Sequence, residues 1–177
     1  MRRAPPQNAL ALLAVLIAAA AGYQSNALLT PDVTHTLPGP AYAVLRVIDG
    51  DTIVIRHNDH DTTVRLIGVD TPETVHPSKP IQHYGKEASS FLHNLLTGES
   101  VHLEPPASGS PQDRYGRLLA YVYRAPDGLF VNEELIRQGY GRAYTTYPFL
   151  RSDRFVNRQR SAQAAGRGLW ASTGPVH

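Results

Sequence analysis

The 177 residues suffice for one domain with extra segments at its ends, and a hydrophobic content of 42% provides a core but excludes a polytopic membrane protein. The absence of cysteine excludes a disulfide framework and a thiolate metal site, so oxygen and imidazole remain as the possible metal ligands. The formal net charge of +2 comes from Arg2 and Arg3, so net charge gives no argument for nucleic acid, although acidic residues are concentrated in 23–106 and basic ones in 107–177.

Residues 1–22 have the layout of a signal peptide: a basic start, a short apolar run and small residues at the end. The run is short for a membrane span, and an uncleaved N-terminal anchor is the alternative. We therefore expect a secreted or periplasmic protein, or one anchored in a membrane and facing away from the cytoplasm.

Residues 23–40 show no steady period and predict a linker that ends in Pro38-Gly39-Pro40.

Three strands follow in the predicted domain, at residues 41–48, 51–56 and 62–69. Asp49-Gly50 lies between the first two and is typical of a hairpin turn, which accounts for Asp49. Asp51 is harder to explain, because aspartate has no propensity for the start of a strand. Hairpin connections between sequential strands predict a meander.

The second half alternates between strands and helices. Apolar residues spaced by three and four predict a helix at 85–97, and a second helix is marked by Val131, Leu135 and Ile136. The remaining predicted elements are strands at 100–104 and 118–123, a Pro-rich loop at 105–111, a tyrosine-rich loop at 140–149, a third helix at 150–165 and a loose tail at 171–177. Together these elements predict an α+β fold, a five-stranded OB-type barrel with three helices.

The segment that points to chemistry is Val69-Asp70-Thr71-Pro72-Glu73, at the end of the third predicted strand. Pro72 has no N–H for a ladder and ends the strand, so two carboxylates stand where a sheet opens into a loop. A capped strand end whose acids face water is the alternative. Arg65, inside the same strand, requires either a solvated face or a partner, and we favour a partner in a polar cleft.

These residue types suit phosphodiester hydrolysis. Asp51, Asp70 and the carbonyl of Thr71 offer hard oxygens of the kind that calcium prefers. Arg65 and Arg117 offer forked donors for phosphate oxygens. Glu73 is a carboxylate able to take a proton from the attacking water.

Three blocks of sequence carry a resemblance: Val47-Ile48-Asp49-Gly50-Asp51-Thr52, Arg65-Leu66-Ile67-Gly68-Val69-Asp70-Thr71-Pro72-Glu73 and Asp113-Arg114-Tyr115-Gly116-Arg117. In this order they resemble the signature blocks of the staphylococcal nuclease, or thermonuclease, family, over residues 41–170. The resemblance implies an OB-type barrel with three helices and a calcium-dependent nuclease that cleaves DNA and RNA to leave 3′-phosphate ends. This sequence differs from the family pattern in the Pro-rich loop and in one additional residue between Tyr144 and Tyr147.

The resemblance also implies roles by position, and we expect the protein to act as a monomer. Implied as catalytic are Arg65, Glu73 and Arg117; as calcium ligands Asp51, Asp70 and Thr71; and as substrate contacts Lys79, Arg114, Tyr115, Tyr144 and Tyr147. A catalytically inactive OB-type module that binds nucleic acid or protein is the main alternative, although such a module should lack these carboxylates and arginines. Hydrolysis of other phosphodiesters, or use of manganese or magnesium, is a third reading.

Overall fold

A computed structural model of the chain describes residue 37 and residues 39–74 and 82–171. Several predictions fall outside these residues and stay predictions: the signal peptide or anchor at 1–22, most of the linker at 23–40, the substrate contact at Lys79 and nearly all of the tail at 171–177. Leu37 packs against the hydrophobic core, so the packed structure reaches the last residues of the predicted linker. No helix in the described part of the chain has the length and apolar character needed to cross a bilayer.

Strands and helices follow each other in an order close to the predicted one. The strands are β1 (Ala41–Asp49), β2 (Thr52–His57), β3 (His60–Leu66), β4 (Val69–Asp70), β5 (Ser100–Glu104), β6 (Leu118–Arg124) and β7 (Arg142–Ala143). The helices are α1 (Gly85–Leu96), α2 (Val131–Arg137) and α3 (Ser152–Ala164), and a 3-10 helix covers Gly168–Trp170.

Five of these strands close into a barrel in the order β1-β2-β3-β6-β5. Neighbouring strands are antiparallel except β3 and β6, which are parallel. Closure removes the exposed strand edges that an open sheet would leave. The barrel and the three helices confirm the predicted α+β, OB-type fold.

The core fills the barrel and the space between it and the helices. Along β2, Ile53 and Ile55 are fully buried, and the helical stripe of α1 buries Leu92 and Leu96 as its spacing predicted. Phe155 of α3 is also fully buried. Burial of each such side chain stabilises the fold by about 1.5–3 kcal/mol.

The third strand was predicted to cover 62–69, and its predicted C-terminal end is wrong. β3 stops at Leu66, and the chain turns at Gly68, which has a φ of 73°. A β-carbon there would lie 2.7 Å from Phe149 and 2.9 Å from Phe155, so glycine is required for the turn and for its packing. Asp70 therefore lies on a separate two-residue strand, β4.

That short strand pairs with β7 inside the segment that we had predicted as a tyrosine-rich loop. Asp51 also differs from the prediction, because it is the second residue of the β1–β2 turn and β2 begins at Thr52. Asp49 is the last residue of β1, and its side chain takes part in the turn as expected, because its carboxylate accepts the N–H of Asp51 at 3.1 Å.

A buried amide connects helix α2 to the barrel. The Oδ1 of Asn132 accepts the N–H of Val122 at 2.8 Å, and its Nδ2 donates to the carbonyl of Ile67 at 2.9 Å. Asn132 is fully buried, so these bonds satisfy groups that water does not reach. They also hold the chain where β3 gives way to β4.

A buried carboxylate connects helices α2 and α3. Glu133 accepts hydrogen bonds from the guanidinium groups of Arg154 and Arg158. Burial by itself would raise the pKa of Glu133, but the hydrogen bonds and charges of the two arginines outweigh it and hold the pKa below its usual value. The cluster therefore depends on an ionised glutamate.

We predict that Glu133→Gln lowers the free energy of unfolding by about 1–3 kcal/mol at pH 7, because it removes two charge-assisted hydrogen bonds. Because the folded-state pKa is lowered, this stability is present above the unfolded pKa of about 4.5 and is lost as the pH falls through the folded value. Urea titrations at neutral and acidic pH measure the difference, which should shrink on acidification. The matched control is Asp59→Asn in an exposed turn, and equal effects of both variants would refute the assignment.

Candidate active site

Asp51 is the residue on which the site is assembled. Its side chain is almost fully buried, and its Oδ2 accepts the N–H of Thr71 at 3.0 Å and the Oγ1 hydroxyl of Thr71 at 3.2 Å. The Oδ1 atom accepts the hydroxyl of Thr52 at 3.0 Å. One carboxylate thereby joins the β1–β2 turn to the chain that follows β4.

The approach of the β1–β2 turn to Thr71 requires a glycine. A β-carbon on Gly50 would lie 2.7 Å from the Oγ1 of Thr71 and 3.0 Å from the β-carbon of Ala88 in α1. Since real side chains do not tolerate such contacts, Gly50 lets the turn fit between these two elements. The neighbouring Asp51 is positioned as a result.

Arg65 is the cationic partner of Asp51. Its Nη1 lies 2.8 Å from the Oδ2 of Asp51, and its Nη2 lies 3.6 Å from the Oδ1 of Asp70. The arginine side chain is 15% exposed, whereas that of Asp70 is 51% exposed. One guanidinium group therefore bridges a buried carboxylate and an exposed one.

Negative charge exceeds positive charge around this bridge. Burial first, and then the negative charge of Asp51, raise the pKa of Asp49 to about 6. Arg65 is thus in contact with Asp51 and Asp70, and Asp49 adds further carboxylate charge beside Asp51. An excess of carboxylate charge of this kind suits a divalent cation.

The donor set fits a hard cation. Among the described residues no group of three or more His, Cys, Asp or Glu is placed so that it could hold a metal ion by itself. Asp51 and Asp70, both in contact with Arg65, supply carboxylate oxygens, and Thr71 adds a carbonyl. Cations that bind oxygen and keep several waters accept such a partial set.

Arg117 is held by a carboxylate that the sequence analysis left without a role. The Oδ2 of Asp113 accepts the Nε–H of Arg117 at 2.7 Å, and its Oδ1 accepts the N–H groups of Tyr115 and Arg117 at 2.9 Å and 3.0 Å. Burial by itself would raise the pKa of Asp113, but the hydrogen bonds from Arg117 hold it below its usual value. The sequence signal that predicts this contact is an aspartate at the start of a turn that precedes an arginine.

A cleft of about 750 Å³ brings most of the predicted site together. The predicted site residues that line it are Arg65, Asp70, Arg114, Tyr115, Arg117, Tyr144 and Tyr147. One wall comes from the Pro-rich loop, with Pro106, Ser108 and Ser110, and the other includes Phe149. Asp51 and Thr71 are buried and are not among the residues that line it.

Glu73 lies on the chain that leaves the site. It is half-buried, its N–H donates to the Oε1 of Gln82 at 3.1 Å, and its carbonyl accepts the N–H of Gln82 at 3.0 Å. These bonds fix the backbone of Glu73 against Gln82. Glu73 is not among the described residues that line the cleft, so its predicted role stays a prediction.

Exposed aromatic rings stand at the rim of the cleft. Tyr115 is 68% exposed and Tyr147 is 70% exposed. The guanidinium carbons of Arg114 and Arg117 lie 4.8 Å and 5.4 Å from the centre of the Tyr115 ring. Exposed aromatic faces beside cations are the groups on which unpaired bases stack.

The two walls of the cleft are connected at their bases. Glu104 is the last residue before the Pro-rich loop, and its carboxylate accepts hydrogen bonds from Nη2 of Arg151 at 2.9 Å. Arg151 comes after the tyrosine-rich loop. Tyr123 also donates its hydroxyl to Glu104 at 2.8 Å. Sequence reasoning missed this connection, since nothing local pairs residues so far apart in the chain.

Comparison with known proteins identifies relatives over most of the chain. A family model described as "Staphylococcal nuclease homologue" matches residues 63–172. Thermonuclease of Staphylococcus hyicus is 42% identical over 132 residues, 74% of this chain and 76% of the relative. Thermonuclease of Staphylococcus intermedius is 46% identical over 134 residues, 75% of this chain and 77% of the relative. Endonuclease YncB of Bacillus subtilis is 40% identical over 133 residues, 74% of this chain and 62% of the relative.

We predict that Gly68→Ala is destabilised by about 2–5 kcal/mol, since it combines a left-handed backbone with a clash against Phe149 and Phe155. Gly98→Ala is the matched control, because Gly98 has a φ of 77° with nothing within 4 Å of its β-carbon position. The control should lose about 1–2 kcal/mol from its backbone alone. Chemical denaturation gives both values, and equal losses would contradict the packing argument.

Proposed function

Since this chain belongs to the staphylococcal nuclease family of phosphodiester-hydrolysing enzymes, we propose that it cleaves DNA and RNA with calcium as cofactor and leaves 3′-phosphate ends. The observation that carries the proposal is the bridge formed by Arg65. This guanidinium contacts Asp51 and Asp70 while lining the same cleft as Arg117. The residues proposed to bind the cation and those proposed to bind phosphate are therefore connected through Arg65.

The calcium ligands in this proposal are Asp51, Asp70 and the carbonyl of Thr71. Bound calcium supplies positive charge that stabilises the negative charge developing on the phosphate during hydrolysis. Asp49 adds negative charge beside Asp51, but it does not itself line the cleft.

Two guanidinium groups act on the phosphate. Arg65 and Arg117 both line the cleft, and their N–H groups suit the oxygens of a phosphodiester. Carboxylates hold both groups in place before substrate arrives, since Arg65 contacts Asp51 and Arg117 contacts Asp113. Groups fixed in this way need little rearrangement when charge develops in the transition state.

Glu73 is the proposed general base or the residue that orients the attacking water. The water adds to phosphorus as its proton passes to the carboxylate, and the 5′ oxygen departs, which leaves the phosphate on the 3′ side. Arg114, Tyr115, Tyr144 and Tyr147 hold the nucleoside beside the reacting phosphate, and Lys79 is proposed as a further contact.

The protein is proposed to work outside the cytoplasm as a monomer. The support for this location is the signal-peptide layout of residues 1–22, which also allows attachment to a membrane through an uncleaved anchor.

We predict that Arg117→Ala and Glu73→Gln each lower kcat on single-stranded DNA by about 100-fold or more while the protein stays folded. The assay uses an end-labelled oligonucleotide with calcium or with a chelator, and end-group analysis identifies 3′-phosphates. Arg56→Ala, an exposed arginine paired with Asp61 on the β2–β3 hairpin, is the matched control.

Wild-type rates in the folded variants would contradict these two assignments. Binding of DNA by the wild-type protein without cleavage under any condition would instead favour the inactive binding module. Cleavage that persists with magnesium or manganese but not with calcium would contradict the choice of metal, because magnesium needs a tighter octahedral shell.

A further inference from the structure

Arg142 lies directly opposite Asp70 in the short β4–β7 ladder. Asp70 and Arg142 are both exposed, whereas Val69 beside Asp70 is fully buried. Residues that face each other in an antiparallel pair project to the same side of the sheet, with their β-carbons about 5 Å apart. Arg142 therefore stands on the outer face next to a proposed metal ligand.

This guanidinium has no carboxylate partner in the described part of the chain. None of the salt bridges among the described residues involves Arg142, and Asp70 forms its salt bridge with Arg65. The guanidinium carbon of Arg142 instead lies 5.5 Å from the centre of the Trp170 ring. A planar cation supported on an aromatic ring keeps its N–H groups available for an anion.

Several other arginines of this half of the chain pair with carboxylates. Glu133 holds Arg154 and Arg158, and Glu134 holds Arg137. These cations serve the packing of α2 and α3. Arg142 serves no such contact, although Asp70 is close enough across the ladder for a long side chain to reach.

The backbone that carries Arg142 is tightly held on both sides. A β-carbon on Gly141 would lie 2.8 Å from the Cγ1 of Val69, so this glycine allows the strand to press against β4. The N–H of Ala143 donates to the Oε1 of Gln159 in α3 at 2.8 Å. The position of Arg142 relative to Asp70 is thereby defined by packing.

Asp70 also marks the edge of the cleft. It lines the cleft together with Arg65 and Arg117, whereas Arg142 is not among the residues that line it. If a strand whose scissile phosphate contacts Arg65 and Arg117 leaves the cleft on the side of Asp70, its next phosphate passes the guanidinium of Arg142, which stands opposite Asp70 in the ladder.

We propose that Arg142, supported on Trp170, binds the phosphate adjacent to the scissile one on a strand of nucleic acid. This inference rests on the proposed function and adds a contact that requires more than one nucleotide. It recognises the phosphodiester backbone and not the base, so it applies to any sequence.

The first test compares steady-state kinetics of wild-type protein, Arg142→Ala and Arg160→Ala on a single-stranded oligonucleotide. Arg160 is the matched control because it is exposed and contacts only Asn157 among the described residues. In Arg142→Ala we expect KM to rise about tenfold with kcat changed less than about twofold, since a charge-assisted contact is lost from binding alone. Arg142→Lys should keep part of the affinity, because it retains the charge without the planar fork.

The second test removes the phosphate charge instead of the arginine. An oligonucleotide with one cleavable linkage carries a neutral methylphosphonate on one side of it or on the other. With wild-type protein, neutralisation on one side should raise KM about tenfold, and Arg142→Ala should add no further increase on that side. The slope of log affinity against log salt should also fall by about 0.7 in Arg142→Ala.

Several outcomes would overturn the proposal. In the kinetic comparison, these are an unchanged KM in Arg142→Ala, an equal change of KM in Arg160→Ala, or a collapse of kcat that places Arg142 in the chemical step. In the methylphosphonate experiment, the contradicting outcome is that the effects of the variant and of the neutral linkage on KM are additive. Wild-type protein that fails to cleave would overturn the proposed function instead. Fluorescence anisotropy of a labelled strand would in that case still separate Arg142→Ala from Arg160→Ala.

Discussion

The buried contact between Asp51 and Arg65 is the interaction on which the rest of the site depends. A buried ion pair stabilises a fold only when its remaining donors and acceptors are satisfied, because both charges lose their water. Here Thr71 donates to Asp51 through both its N–H and its hydroxyl. The contact therefore joins the β1–β2 turn, strand β3 and the chain beyond β4, and it can persist only when all three are in place.

The cleft is formed by loops, but its shape is determined by connections beneath them. Asn132 satisfies carbonyl and N–H groups at the end of β3 and along β6. Glu104 and Arg151 hold the bases of the two loops that form opposite walls. Phe149 packs against Phe155 below the turn at Gly68. Chemistry on mobile loops needs such anchors, since a small displacement of a reacting group costs a large factor in rate.

The distribution of charge along the chain reflects two different uses of arginine. Many arginines in residues 107–177 pair with carboxylates and hold elements together, as Arg154 and Arg158 do with Glu133. Others face the cleft or its surroundings, and Arg142 is the one that we place on the path of the strand. Three of the acidic residues of the first half, Asp49, Asp51 and Asp70, lie at or beside the proposed cation site. Only pairing in three dimensions separates a structural arginine from one that binds phosphate.

Periodicity and turn chemistry are local properties, and they were enough to indicate the barrel strands, the stripe of α1 and the Asp49-Gly50 hairpin. The resemblance of three sequence blocks to a known family indicated seven of the residues that line the cleft. The break of the third predicted strand at Gly68 and the pairing of β4 with β7 were decided by the tertiary structure, since they depend on Phe149 and Phe155 from distant segments. The hold of Glu104 on Arg151, 47 residues apart in the chain, likewise follows from folded geometry. A residue type and its spacing predict which chemistry is possible, whereas long-range packing decides which partner each charged group receives.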